Sequence, residues 1–239
     1  MKRKYDLTDE TMDVCGTTLH RIRALINFND VKAGDLGGWV EDEDNLSHCD
    51  NAWVYGDAKV LGNAEVGGNA RVYDNAWVYG DARVLGYARV LGDAEIYGNA
   101  EVGGDARVLG NVWVFGYAKI YGDAWVYGYA RVFGDAEILG NAEIYGNAEV
   151  GGDAKVCGDA RVNSHKDYIV FKDWWDSGRY FTWTRSNDMW RAEDFYGTGD
   201  ELINKAYQHS ETSGREYARI VEYVNQIKNK LLENKKNSK

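Results

Sequence analysis

A mainly β, solenoidal fold is predicted by three observations: a period of six over almost half the chain, glycine concentrated at one place in that period, and the complete absence of proline. From Asn51 to Ser164 the 239-residue chain runs through nineteen consecutive six-residue units without insertion, NAWVYG, DAKVLG, NAEVGG and onward. The second residue is Ala in all but one unit, where it is Val112, and the fourth is always Val or Ile. Apolar residues two apart share one side of a strand, so these positions face inward and the third position (Trp, Arg, Lys or Glu) faces solvent. Gly at the sixth position followed by Asn, Asp or Tyr gives a turn, because glycine adopts positive φ at no steric cost. A strand and a turn every six residues make a coil that stacks on itself. Proline would delete N–H groups from a continuous ladder, which accounts for its absence.

The motif Val54-Tyr55-Gly56-Asp57-Ala58-Lys59, an aliphatic residue followed four places on by a small one, resembles the hexapeptide-repeat family. The resemblance implies a left-handed parallel β-helix in which three units form a triangular coil of eighteen residues. Nineteen units then give about six coils, a prism roughly 30 Å long at about 4.8 Å per coil. The segment FNDVKAGDLGGWVEDEDNLS resembles the opening segment of uncharacterised bacterial and prophage repeat proteins, some of which carry an acyltransferase label.

Stacking residues eighteen apart sorts the third positions onto three faces. Face one reads Trp53, Arg71, Arg89, Arg107, Trp125, Glu143, Arg161; face two reads Lys59, Trp77, Glu95, Trp113, Arg131, Glu149; face three reads Glu65, Arg83, Glu101, Lys119, Glu137, Lys155. Face three alternates in sign at every step, as a solvated ladder of ion pairs does. Face one stacks three arginines, which repel unless an anion or a partner's carboxylate bridges them. Fifth positions add Tyr55, Tyr73, Tyr127 and Tyr145 to face one and Tyr79, Tyr97, Phe115 and Phe133 to face two. So much outward aromatic surface points to self-association or a protein partner. The candidate binding residues are Trp53, Arg71, Arg89, Arg107 and Trp125 on face one, with Trp77 and Trp113 on face two.

The flanks differ in kind, giving an N-terminal β cap (1–50), the repeats (51–164) and a small C-terminal α+β module (165–239). Leu19 to Asn27 alternates like a strand. The module begins with strands over Tyr168–Trp174, Arg179–Thr184 and Met189–Ala192. Two helices follow, one opening at the Thr198–Glu201 capping box and running to about Gln208, the other opening at Ser213–Glu216. Trp174, Trp175, Trp183 and Trp190 form an aromatic cluster that either fills the module's core or cages a ligand.

A net charge of −10 disfavours general binding to nucleic acid, and no apolar run is long enough to span a membrane. The odd, scattered cysteines (Cys15, Cys49, Cys157) suit a reducing cytoplasm and have no metal-ligand spacing. Acyltransferases of the resembling family place an imidazole on or beside the coils as general base. Here no histidine lies between Asn51 and Asn163, and only His48 and His165 sit at the two ends. The expectation is therefore a cytoplasmic, non-enzymatic interaction protein of bacterial or prophage type. It would be homo-oligomeric, bind a protein partner such as a host defence or regulatory factor, and require no cofactor or metal. The alternatives are small-anion or nucleotide binding on the Arg/Trp face, and acyl transfer using His48 or His165.

Overall fold

A computed structural model describes residues 3–237 as a parallel β-solenoid with an antiparallel sheet at its N-terminal end and a sheet-and-helix module at its C-terminal end. Second- and fourth-position side chains are buried along the whole axis. Short strands pair in parallel with their counterparts eighteen residues on: Trp53 with Arg71, Lys59 with Trp77, Glu65 with Arg83. The three faces are thus three parallel ladders in the expected register. Asn and Asp at first positions form ladders of their own, with Asn63 donating to Asp81 at 2.9 Å and Asn75 to Asp93 at 3.0 Å.

The coil begins earlier than the six-residue units do. Strands β1 (Tyr5–Val14) and β2 (Thr17–Ala24) form a hairpin, and β2 pairs antiparallel with β3 (Leu36–Val40). The far end of β3 then enters the solenoid, with Trp39 and Val40 pairing in parallel with Lys59 and Val60, while Leu46 bridges to Val66. The spacing here is twenty, and a short 3-10 turn at Glu43–Asn45 lies between the two contacts. The solenoid therefore has about seven coils, since the seven-stranded ladder on face one is matched by β3 and six repeat strands on face two.

Both ends of the ladder are closed by side chains. First-, third- and fifth-position N–H groups donate to carbonyls of the following coil, as in Trp53 to Ala70 and Tyr55 to Val72. Carbonyls are consequently left over at the N-terminal end, and donors meet them there. Lys4 Nζ donates to the Ala52 carbonyl at 2.8 Å, and Asn45 Nδ2 donates to the Gly62 and Ala64 carbonyls at 2.9 Å each. At the other end N–H groups are left over, and acceptors meet them. Lys155 N–H donates to Thr182 Oγ1 at 2.8 Å, Arg161 N–H to Ser186 Oγ at 2.6 Å, and Asn163 N–H to Asp167 Oδ2 at 3.0 Å. The N-terminal cap supplies mainly donors and the C-terminal cap mainly acceptors, while Tyr168 Oη and Asn187 Nδ2 also donate to the Glu149 and Cys157 carbonyls at 3.1 and 3.3 Å.

The module is an antiparallel sheet of Tyr168–Lys172, Tyr180–Thr184, Met189–Ala192 and Phe195–Gly197, the last a strand beyond those expected. Helix α1 (Gly199–His209) opens at the Thr198–Glu201 capping box. Helix α2 (Glu211–Asn237) starts two residues before the expected Ser213. The reason is that Ser210 Oγ accepts the Ser213 N–H at 3.0 Å, so Ser210 is the cap. Phe181, Trp183, Trp190, Leu202, Val221 and Val224 form a core separate from that of the coils.

The buried cap residues make stability depend on pH. Burial holds the Lys4 ammonium down at about 8, against an ordinary 10.5. Between those values the unfolded chain binds the extra proton, so stability rises with pH. Burial acts oppositely on Tyr121 and Tyr217, pushing both phenols up to about 12. Their contribution is complete below the ordinary phenol value of about 10 and is lost as pH rises through 12. Burial also pushes the Cys157 thiol up to about 11, which acts against Lys4 from about pH 9 upward. The urea midpoint is therefore expected to climb from pH 7.5 to about 9 and fall above about 10. Lys4→Met should abolish the climb and leave the fall; a wild-type midpoint that is flat from about pH 7.5 to 9 would refute the assignment.

Candidate functional site

The repeat places every third-position side chain on an outer face, but the hairpin at the N-terminal end changes what two of them can do. Trp53 was expected to face solvent and is 1% exposed. Phe28 and Tyr5 meet its ring edge-on at centroid distances of 5.3 and 6.1 Å, so it belongs to the seam between cap and coils and offers no binding surface. Arg71 is likewise engaged by the cap. Its guanidinium donates to both oxygens of Asp30, at 2.8 and 3.1 Å, and to Tyr73 Oη at 3.0 Å.

Arg89 and Arg107 remain from the arginine stack, in register one coil apart. With Arg71 they wall a cavity of about 510 Å³, to which the first-position corner contributes Asn51, Asn69, Tyr87 and Asp105. Arg107 also lies over the Trp125 ring, 4.8 Å from its centroid. On face two Arg131 lies over Trp113 at the same 4.8 Å, and Lys59 over Trp77 at 4.9 Å. The fifth positions of face two form a continuous column, Tyr79, Tyr97, Phe115, Phe133, with near-parallel rings 4.9, 5.1 and 5.4 Å apart. Trp113 and Trp125 are exposed, as is Tyr129 at the turn between faces one and two. Face three carries ion pairs between neighbouring coils, Arg83 with Glu65 and Lys155 with Glu137, both at 3.3 Å.

The C-terminal tryptophans do not form a cage. Trp183 and Trp190 are buried in the module's core, and Trp175 packs edge-on against Tyr217 at 5.2 Å. Trp174 alone stands out, at 76% exposed. The core claims these rings because two helices and a four-stranded sheet must bury an apolar face against each other.

The two histidines at the solenoid ends have different surroundings. His48 stacks on Tyr5 at 4.3 Å, and its Nδ1 accepts the Lys4 N–H at 3.3 Å. Burial lowers its pKa, and its Nε2 lies 3.6 Å from Glu43 Oε2. His165 is exposed in the turn after the last coil. The arrangement missed by sequence reasoning is His209 at the end of α1, whose Nε2 lies 3.0 Å from Asp176 Oδ2. Both line a cavity of about 580 Å³ that also takes in Arg179, Tyr180 and Lys205. Thirty-three residues separate the pair in sequence, and no local spacing announces it. Among the described residues no cluster of His, Cys, Asp or Glu is placed to hold a metal ion, and no helix is long and apolar enough to cross a membrane.

Residues 64–80, in the second and third coils of the solenoid, match the sequence model of the YdcK β-solenoid repeat. Over 79 residues the chain is 35% identical to the uncharacterized acetyltransferase YdcK of Escherichia coli strain K12, covering 29% of this chain and 24% of that protein. The chain thus spans about a quarter of the length of the curated relative it matches. Repeat and ladder together make it a β-solenoid repeat protein related to that relative.

Proposed function

We propose that the chain is a non-enzymatic interaction scaffold of bacterial or prophage type, with left-handed hexapeptide coils, that self-associates through faces one and two and captures a protein partner in the cytoplasm. The observation that carries this reading is the exposed set Trp113, Trp125 and Tyr129 about the edge between those faces. Large rings held outward on a rigid ladder lose little entropy on being covered, which suits an interface. The closed ladder ends favour lateral contact over end-to-end growth. Three free cysteines accord with a reducing compartment.

Sedimentation equilibrium tests the reading. The native chain is expected at a multiple of 26.9 kDa, and Trp113→Ser combined with Trp125→Ser at a lower one. A native monomer, or an unchanged mass in the double variant, overturns it. A second reading, acetyl transfer, draws on the relative's name and on the His209–Asp176 pair in its cavity. It is the weaker one, because the alignment covers only 24% of that relative.

A further inference from the structure

We infer that the cavity between Arg89 and Arg107 binds a small phosphate monoester carrying an aromatic ring, a nucleoside monophosphate being the simplest such ligand. Arg71, Arg83, Arg131 and Arg161 each hold a carboxylate: Asp30, Glu65, Glu149 and Glu143. Arg89 and Arg107 form no ion pair among the described residues, although they are direct neighbours in the ladder. Their strands are about 4.8 Å apart, and like charges directly opposite destabilise a sheet. A phosphate between them removes that repulsion and matches the planar fork of each guanidinium.

The remaining wall suits the rest of such a ligand. Asn51 Nδ2 donates to Asn69 Oδ1 at 2.7 Å, which leaves the Asn69 amide N–H groups without an acceptor among the described residues and available to a phosphate oxygen. Tyr87, 61% exposed, contributes an open ring face to the same cavity. An aromatic base stacks on such a ring without regard to its identity. Asp105 lies one coil beyond Tyr87 and forms no ion pair with either arginine. Its carboxylate accepts hydroxyl donors, as a sugar supplies, and disfavours a second phosphate beside the first. The site goes beyond the scaffold reading and stands or falls separately from it, because its readout is ligand binding and the scaffold's is particle mass.

The test is calorimetric titration of the full chain with AMP, with inorganic phosphate and with adenosine, at constant ionic strength. AMP is expected to bind more tightly than either of the others. Arg89→Gln and Arg107→Gln should each weaken AMP by roughly tenfold or more, the worth of one charge-assisted contact. Tyr87→Ser should bring AMP down to the affinity of inorganic phosphate. A folding defect is distinguished by the ligand-free melting temperature at low salt, which relief of repulsion leaves equal or raises in Arg89→Gln. Absence of AMP binding, AMP binding that survives both arginine changes, or equal binding of AMP and phosphate would each overturn the proposal.

Discussion

Cut after Ser164, the protein is expected to associate end to end in pairs. The full chain closes that end with Thr182, Ser186 and Asp167, which accept the N–H groups of Lys155, Arg161 and Asn163. Their removal leaves an open rung with at least three unmatched donors and uncovers the last apolar layer, including Val156 and Val162, both fully buried in the intact chain. Water meets the freed donors, so the uncovered apolar layer is what drives association. A second molecule with the same open end presents mostly the same donors, so the two ends meet chiefly by covering each other's apolar layers. Lys4 and Asn45 still close the opposite end, and growth therefore stops at a pair instead of continuing into a filament. Sedimentation velocity should show twice as many subunits per particle as in the full chain at the same concentration, with a more elongated shape. An unchanged subunit number, or open-ended polymerisation, would show that the caps do not set the state of the ends.

How far the sequence could be read follows from what the repeat encodes. Alternation of Ala and Val with outward residues fixed the ladder register residue by residue, and Arg71, Arg89 and Arg107 are neighbours as the period requires. The first coil escaped because it has no six-residue unit: Trp39, Val40 and Leu46 reach the ladder at a spacing of twenty, around a turn closed by Asn45. Trp53 shows the other limit. Its place in the period says outward, and only the path of the N-terminal cap, bringing Tyr5 of β1 and Phe28 of the β2–β3 connection over it, makes it core. The Arg71–Asp30 pair and the His209–Asp176 pair belong to the same class, contacts between segments with no shared period. A repeat determines its own lattice, whereas the ends and attachments depend on long-range packing that composition does not encode.

The second large effect concerns the stacked glycines at the turns. Gly104, at φ +65°, sits directly against its counterpart in the next coil, and a Cβ built there would lie 2.8 Å from the Gly122 nitrogen and 3.0 Å from the Gly122 oxygen. Those atoms are backbone and belong to a rung fixed on both sides, so they cannot swing away. Gly104→Ala therefore meets two costs, about 1–2 kcal/mol for a left-handed alanine and about 1–3 kcal/mol for overpacking. Gly152 has nearly the same backbone, φ +63°, but occupies the last turn of its column, where an added Cβ meets nothing within 4 Å. Gly152→Ala bears only the conformational cost. The two variants share chemistry and dihedral angle and differ only in what is stacked beyond them. Gly104→Ala should melt roughly 2–12 °C below Gly152→Ala, at about 2–4 °C per kcal/mol for a chain of this size. Equal melting temperatures would mean that the coil relaxes freely around an inserted methyl group, and that close backbone contact between successive turns is not what reserves the sixth position for glycine. The one internal exception, Asp74, stands at φ +60° against Gly92, where its Oδ2 accepts the Gly92 N–H at 2.9 Å, so a side chain is accommodated in the stack where it gains a hydrogen bond, which alanine cannot make.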